Sequence, residues 1–352
     1  MIKVLIVDDS LLIRTILNEI FSHEDDIDVV GMAEDPFVAR EMIKNLKPDV
    51  ITLDVEMPKM DGVTFLKNLM RLRPMPVVMI STLTEKGADI TLQTLSLGAV
   101  DYVAKPSANG EGLVAIATEI LTKVRVAAQA NIGSARASSA LKPQPPARGL
   151  FTPKKDFLIA IGASTGGVEA IRDVVLGFPA DCPPVVVVQH IPELFSASYA
   201  RRINKEAAPT VHEAKHMQYI EPGNVYIAPG GQHLSIKRID GRLRCVLSES
   251  EKVSGHRPAV DVLFGSVARV MGKNCVAALL TGMGSDGAKG LLKLKREGCF
   301  TIAQDEASSV VWGMPGVAVS MNAHCEQLSL RKISARLLEK SSRTRTSGSQ
   351  SA

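Results

Sequence analysis

Short apolar runs rich in β-branched residues punctuate the first part of the chain, and after each comes a stretch whose apolar positions recur at helical spacing. That alternation marks a parallel sheet covered by helices. It predicts strands at Lys3–Val7, Ile27–Met32, Val50–Leu53, Val77–Ile80 and Ala99–Val103, each followed by a helix, which makes a five-fold βα repeat. From about Asn131 the pattern stops. As far as Pro153 the sequence is Ser, Ala, Pro, Gly and basic residues, including Lys142-Pro143-Gln144-Pro145-Pro146. Such a stretch has too few large apolar groups to offset the entropy of ordering. Alternation resumes at Phe157–Ile161, Val185–Val188, Val225–Ala228, Val276–Leu280 and Phe300–Ala303, with helical stretches between several of them, so a second α/β domain is expected.

Length supports the division, because single hydrophobic cores stop growing at about 250 to 300 residues and this chain has 352. The expected units are a first domain over 1–126, a flexible basic linker over 127–153, a second domain over 154–340 and a disordered Ser/Thr-rich tail over 341–352. The net charge of +4 does not call for nucleic acid, since Arg136, Lys142, Arg148, Lys154 and Lys155 fall in and beside the linker with no acidic residue among residues 127–155. No apolar run approaches the roughly 20 residues that cross a bilayer. Met1 leads straight into a segment ending in Asp8-Asp9, with no signal-peptide pattern. A soluble, cytoplasmic protein without direct membrane insertion is expected. The five cysteines (Cys182, Cys245, Cys275, Cys299 and Cys325) form no Cys-x-x-Cys pair and are expected to be buried small hydrophobes rather than a disulfide or zinc framework.

In a parallel sheet all strands end at one edge, so residues just beyond different strands meet in one crevice. In the first domain that edge gathers Asp8-Asp9 after the first strand, Asp54 after the third, Ser81 after the fourth and Lys105-Pro106 after the fifth. Singly, each acid would pass for a loop residue or a helix N-cap. Together, three carboxylates beside one ammonium make a hard-oxygen site suited to Mg²⁺, where metal and lysine neutralise an incoming phosphoryl group while a carboxylate attacks it. No Gly-x-x-x-x-Gly-Lys-Ser/Thr loop occurs, so the phosphoryl group must come from another protein or a small donor. The segment from Met1 to about Val126 resembles a response-regulator receiver domain, with a flavodoxin-like (βα)5 fold. The resemblance implies Asp54 as phosphoacceptor, and Asp9 and the Glu56 carbonyl as Mg²⁺ ligands with Asp8 nearby. It also implies Ser81 and Tyr102 as switch residues and Lys105 as the phosphate partner.

In the second domain Gly162-Ala163-Ser164-Thr165-Gly166-Gly167 follows a strand and opens a helix, fitting Gly-x-Ser-x-Gly. A glycine-rich turn with a serine N-cap would give the same letters. The next strand delivers Gln189-His190 to the same edge, and a later one delivers Thr281-Gly282-Met283-Gly284-Ser285-Asp286-Gly287. A serine hydroxyl needs a base to attack an ester, and the base needs a carboxylate to fix its tautomer. Ser164, His190 and Asp286 supply those roles, and the turns at Thr165 and Met283 could offer N–H groups to an oxyanion. Among the other histidines, His212 and His216 fall on a surface segment, His233 follows a Pro-Gly-Gly turn and His256 precedes Arg257-Pro258; only His190 directly follows an apolar strand. Gly282-x-Gly284-x-x-Gly287 with Asp305 beyond the next strand also fits a dinucleotide fingerprint. It comes late in its domain, however, and would turn Asp286 toward a pyrophosphate.

From about Phe157 to Leu338 the chain resembles the catalytic domain of the bacterial chemotaxis protein-glutamate methylesterases. The resemblance rests on Ile161–Gly167, Gln189-His190, Tyr226–Gly230, His256-Arg257-Pro258, Val260–Phe264, Thr281–Gly284, Thr301–Gln304 and Gly313-Met314-Pro315. It implies a doubly wound, mainly parallel α/β esterase fold. The implied reactions are hydrolysis of glutamate γ-methyl esters on the cytoplasmic regions of chemoreceptors, with release of methanol, and deamidation of glutamines there. It also implies a receiver that covers the active-site edge until a chemotaxis histidine kinase phosphorylates it. The esterase step needs no cofactor on this reading. The alternative of another class is a regulator whose second domain only binds a partner.

Overall fold

The computed structural model describes residues 1–81, 84–105, 113–132 and 153–342. Most of the expected linker, 133–152, and of the expected tail, 343–352, lies outside these residues, as does Pro106. In the first domain β1 (Ile2–Val7), β2 (Ile27–Ala33), β3 (Val50–Asp54), β4 (Val77–Ser81) and β5 (Asp101–Ala104) alternate with α1 (Leu11–Ser22), α2 (Pro36–Leu46), α3 (Gly62–Leu72), α4 (Glu85–Ser96) and α5 (Leu113–Ala128). All strand pairs are parallel, in the order β2-β1-β3-β4-β5. The helices start where short polar side chains satisfy their free N–H groups: Asp35 accepts from Phe37 and Val38 ahead of α2, with Pro36 in its first turn, and Asp61 accepts from Thr64 at α3. Ile13, Leu17 and Phe21, four residues apart on α1, form its buried stripe.

The second domain is built on β6 (Leu158–Ala163), β7 (Val185–Gln189), β8 (Thr210–Glu213), β9 (Asn224–Ile227), β12 (Cys275–Leu279), β13 (Phe300–Gln304) and β14 (Glu326–Leu328). They form one sheet in the order β14-β13-β12-β6-β7-β9-β8, parallel throughout. Its helices are α6 (Gly167–Leu176), α7 (Glu193–Asn204), α8 (Val260–Met271), α9 (Ala288–Arg296), α10 (Met314–Ser320) and α11 (Leu330–Ser341). Beside the sheet lies an antiparallel hairpin, β10 (His233–Ile239) and β11 (Arg242–Ser248), turned by Asp240 and Gly241 at φ 50° and 75°. Both sheets reverse direction beside their first strand, and an α/β sheet opens its crevice at such a point. The crevices therefore fall beyond β1 and β3 in one domain and beyond β6, β7 and β12 in the other.

Some expectations shift at the edges. α5 runs on to Ala128, beyond the expected domain end at 126, and Asn131 already binds the second domain, its N–H donating to the Val310 carbonyl at 3.1 Å and its side chain to the Ala307 carbonyl at 3.3 Å. Ser341, expected in the tail, is fully buried as the last residue of α11, and Ser342 bridges Pro153. Cys182, Cys245, Cys275 and Cys299 are buried as expected, but Cys325 is exposed because it lies in the loop leading to the short edge strand β14. No helix among the described residues is long and apolar enough to cross a membrane.

Candidate active site

The turn after β6 places Ser164 where glycines are required. Gly166 has φ 75°, and a Cβ there would also lie 2.7 Å from Val310 Cβ. From the loop after β12 the Gly282 backbone comes so close that a Cβ on it would stand 2.8 Å from Ser164 Cβ and 2.4 Å from Met314 Sδ. The Ser164 N–H donates to the Thr281 carbonyl at 3.0 Å, the Gln189 side chain donates to the Ser164 carbonyl at 2.9 Å, and Thr281 Oγ1 donates to the Thr165 carbonyl at 3.0 Å. Three strand ends thus clamp one serine.

His190, at the end of β7, brings Nδ1 to 3.0 Å from Ser164 Oγ and Nε2 to 2.8 Å from Asp286 Oδ2. The ring is turned relative to the familiar serine-protease template, in which Nε2 faces the serine and Nδ1 the carboxylate. Asp286 accepts more than this one bond: the N–H of Val260 donates to Oδ2 at 2.6 Å and that of Asp261 to Oδ1 at 3.0 Å, so the amino terminus of α8 points at it. Burial alone would push its carboxyl up. The His190 hydrogen bond and charge, with the two N–H groups, outweigh burial and hold the carboxyl below its ordinary range. The N–H groups of Thr165 and Met283 have no hydrogen-bond partner among the described residues, and both residues line the cavity at the serine.

The other histidines separate. His216 is exposed, His212 bonds Asn224 at 2.8 Å, and His233 is buried between the Glu251 carbonyl (3.0 Å) and the Ala259 N–H (3.2 Å). His256, by contrast, stacks on His190 with ring centroids 3.7 Å apart and planes 13° apart. Sequence reasoning missed this residue as part of the site. The dinucleotide alternative fails on geometry, because the Asp286 carboxylate is committed to His190 and α8 while Asp305 accepts from Ser308 in its own loop.

At the crevice of the first domain, ligating oxygens of Asp8, Asp9 and Asp54 come within 4.8 Å of one another. Lys105 Nζ lies 3.1 Å from Asp8 Oδ2 and 2.8 Å from Asp54 Oδ2 as an ion pair, off the line of a directed hydrogen bond. Burial pushes Asp54 up to about 6, against the pull of Lys105 and with the help of the Asp8 charge; Asp8 is raised by burial as well. Burial opposes the Lys105 ammonium, but Asp54 and Asp8 more than offset it. Carboxylates so short of compensating charge, all hard oxygen donors, fit a Mg²⁺ ion. Glu56 sits in the loop beyond β3, its N–H 3.3 Å from Asp54 Oδ1. Ser81 is buried and accepts from Thr91 Oγ1 at 2.9 Å.

Tyr102 is buried against the second domain, its ring stacked on Phe195 at 4.8 Å. Next to it, Asp101 Oδ2 accepts from Thr165 Oγ1 at 2.6 Å, and the Arg202 guanidinium donates to the Leu92 carbonyl on α4. A cavity of about 800 Å³ lies between the domains, lined by Ser164, Thr165, His190, His256 and Met283 on one side and Asp101, Tyr102 and Lys123 on the other.

Comparison with known proteins agrees with both halves. A family model described as CheB methylesterase matches residues 159–337, and one described as response regulator receiver domain matches residues 4–117. A protein-glutamate methylesterase/protein-glutamine glutaminase 1 of Xanthomonas campestris is 52% identical over 98% of both chains. A protein-glutamate methylesterase/protein-glutamine glutaminase 2 of Saccharophagus degradans is 50% identical over 96% of this chain and 98% of its own. The crystal structure of the Thermotoga maritima CheB methylesterase catalytic domain covers 53% of this chain and 99% of its own, at 37% identity and a TM-score of 0.52. The two matched ranges take in the acidic crevice of the first domain and the sheet edge where Ser164, His190 and Asp286 meet, the two curated relatives match nearly the whole chain, and the chain belongs to the CheB methylesterase family with an amino-terminal response-regulator receiver domain.

Proposed function

We propose that the chain hydrolyses glutamate γ-methyl esters on the cytoplasmic regions of chemoreceptors and deamidates glutamines there, under control of phosphorylation at Asp54. The observation that carries the reading is the unbroken hydrogen-bonded chain from Ser164 through His190 to Asp286, with Ser164 and His190 lining a cavity. His190 Nδ1 takes the Ser164 proton as Oγ bonds to the ester carbonyl carbon, and the carbonyl electron pair moves onto oxygen, facing the N–H groups of Thr165 and Met283. When the carbonyl re-forms, the bond to methoxide breaks and His190 returns the proton, releasing methanol. Water then attacks the acyl-serine with His190 again as base, leaving glutamate. With a glutamine side chain the same steps release ammonia. Asp286 stays ionised throughout and offsets the imidazolium charge.

In the receiver unit, which ends with α5 at Ala128, Asp54 is the nucleophile toward a phosphoryl group from a chemotaxis histidine kinase. Asp8, Asp9, Asp54 and the Glu56 carbonyl would hold Mg²⁺, which neutralises phosphoryl oxygens, and Lys105 supplies the remaining positive charge. Ser81 and Tyr102 carry the response across the domain to the catalytic unit, which is bounded by the Pro153–Ser342 bridge. The Asp101–Thr165 and Tyr102–Phe195 contacts support a receiver that closes the site until phosphorylated. Both substrate and kinase regions are cytoplasmic, and so is this protein. Ser164→Ala should abolish methanol release from a methylated receptor fragment while circular dichroism stays unchanged; a loss of only a few-fold would remove Ser164 from the role of nucleophile.

A further inference from the structure

We propose that His256 is a positioning residue for the general base: its neutral ring, stacked on His190, holds the imidazole between Ser164 and Asp286 and supports the imidazolium formed during each proton transfer. The inference rests on the hydrolase reading above.

The stack is built rather than incidental. A tight turn presents His256: Ser254 and Gly255 have φ 52° and 81°, and the flanking residues close it reciprocally, Val253 N–H to the His256 carbonyl at 3.1 Å and His256 N–H to the Val253 carbonyl at 3.0 Å. This is the two-residue turn that suits a hairpin. Two further side chains fasten its loop. Arg257 Nη1 donates to the carbonyls of Glu249 at 2.7 Å and Ser250 at 3.2 Å. His233 uses both ring nitrogens, one on the Glu251 carbonyl and the other on the Ala259 N–H, and so ties the loop to the start of the α8 helix that holds Asp286. The turn carrying His256 and the anchor of the triad carboxylate therefore share one brace.

His190 is held within its ring plane by a hydrogen bond at each nitrogen, but such bonds leave the ring free to tip about the line between them. A flat neighbour at 3.7 Å blocks that motion on one face. Burial, with the nearby His190 and against the pull of Asp286, lowers His256 to about 4, so this neighbour stays uncharged at neutral pH. A neutral π face against a developing imidazolium is attractive, whereas a second cation would repel it. Neither ring nitrogen of His256 has a hydrogen-bond partner among the described residues, so stacking is the contact it makes with the triad.

The full chain, activated with acetyl phosphate and Mg²⁺ and assayed by methanol release from a methyl-esterified receptor fragment, separates the roles. His256→Ala should lower kcat by roughly 3- to 30-fold, the worth of a partly desolvated cation–π contact, with KM nearly unchanged. His256→Phe, which keeps a flat neutral face, should recover most of the rate. Retention of kcat within two-fold in the Ala variant overturns the proposal. So does a Phe variant as slow as Ala, or a loss confined to KM, either of which would assign the ring nitrogens to substrate. A Ser164→Ala control distinguishes this failure from that of the parent reading, because hydrolysis surviving there removes the triad whatever His256 does.

Discussion

If the receiver holds the catalytic domain closed, Asp101→Ala should release it without a phosphoryl group. Thr165 Oγ1 donates to Asp101 Oδ2 at 2.6 Å, with Thr165 8% and Asp101 9% exposed, so the bond is almost wholly out of water. A hydrogen bond to a charged group contributes about 1.5–3 kcal/mol net. This one exists only while the domains are docked, so its loss should shift the closed–open balance by that amount, roughly 10- to 150-fold at about 1.4 kcal/mol per tenfold. Lys123 keeps Glu119 at 2.8 Å when Asp101 is gone, which limits the charge left unpaired. The assay is methanol release by the unphosphorylated chain, divided by the rate with acetyl phosphate and Mg²⁺. The ratio should rise toward one in the variant, with the phosphorylated rate little changed. Thr165→Val breaks the same bond, so in that background Asp101→Ala should add almost nothing. An unchanged basal rate, or a full second increment in the double variant, would refute the assignment of this contact to the closed state.

Asp54→Asn should keep basal hydrolysis and lose its response to acetyl phosphate with Mg²⁺; continued activation would place the acceptor elsewhere. Gly282→Ala should destabilise the catalytic domain by about 1–3 kcal/mol through overpacking and cut turnover at least tenfold, since the new Cβ would meet Ser164 Cβ at 2.8 Å; normal turnover at normal stability contradicts the close approach. A carboxyl depressed in the folded state contributes stability above its unfolded value of 3.8 and loses it as pH falls through the folded value. Asp286→Asn should therefore flatten the fall in urea midpoint on acidifying below about pH 4, read by fluorescence of Trp312, the chain's single tryptophan. Parallel curves for the two proteins would show that Asp286 is not depressed.

The strands that carry chemistry were the easiest to read, because β1, β3, β6, β7 and β12 are apolar runs that end abruptly in Asp8, Asp54, Ser164, His190 and the Gly282–Gly287 loop. Such runs are buried on both faces, and burial leaves no room for polar residues. The hairpin β10–β11 escaped notice for the opposite reason: Lys237, Arg238, Arg242 and Arg244 break its apolar alternation where it meets solvent. A signal was nonetheless present, since Asp240-Gly241 is a favoured hairpin turn pair. β14, only three residues at the sheet edge, is too short to carry a period. His256 could not be placed because no strand delivers it; its position depends on a turn, on Arg257 and on His233, three contacts that the local pattern does not encode. Asp101 was read as part of a strand and not as a group facing another domain, because docking between separately folded units leaves no periodic trace.

The turned ring of His190 has a spectroscopic consequence. With Nδ1 facing Ser164 and Nε2 facing Asp286, the proposed base role requires an imidazole that carries its proton on Nε2 and keeps the Nδ1 lone pair for the serine proton. In ¹⁵N-labelled protein the downfield proton shared with the carboxylate should correlate with the ε nitrogen, the reverse of the assignment that the serine-protease template would give. The same orientation sets how synthetic histidine analogues would act. A methyl group on the δ nitrogen would block proton acceptance outright, whereas one on the ε nitrogen would leave the base intact and sever it from its carboxylate.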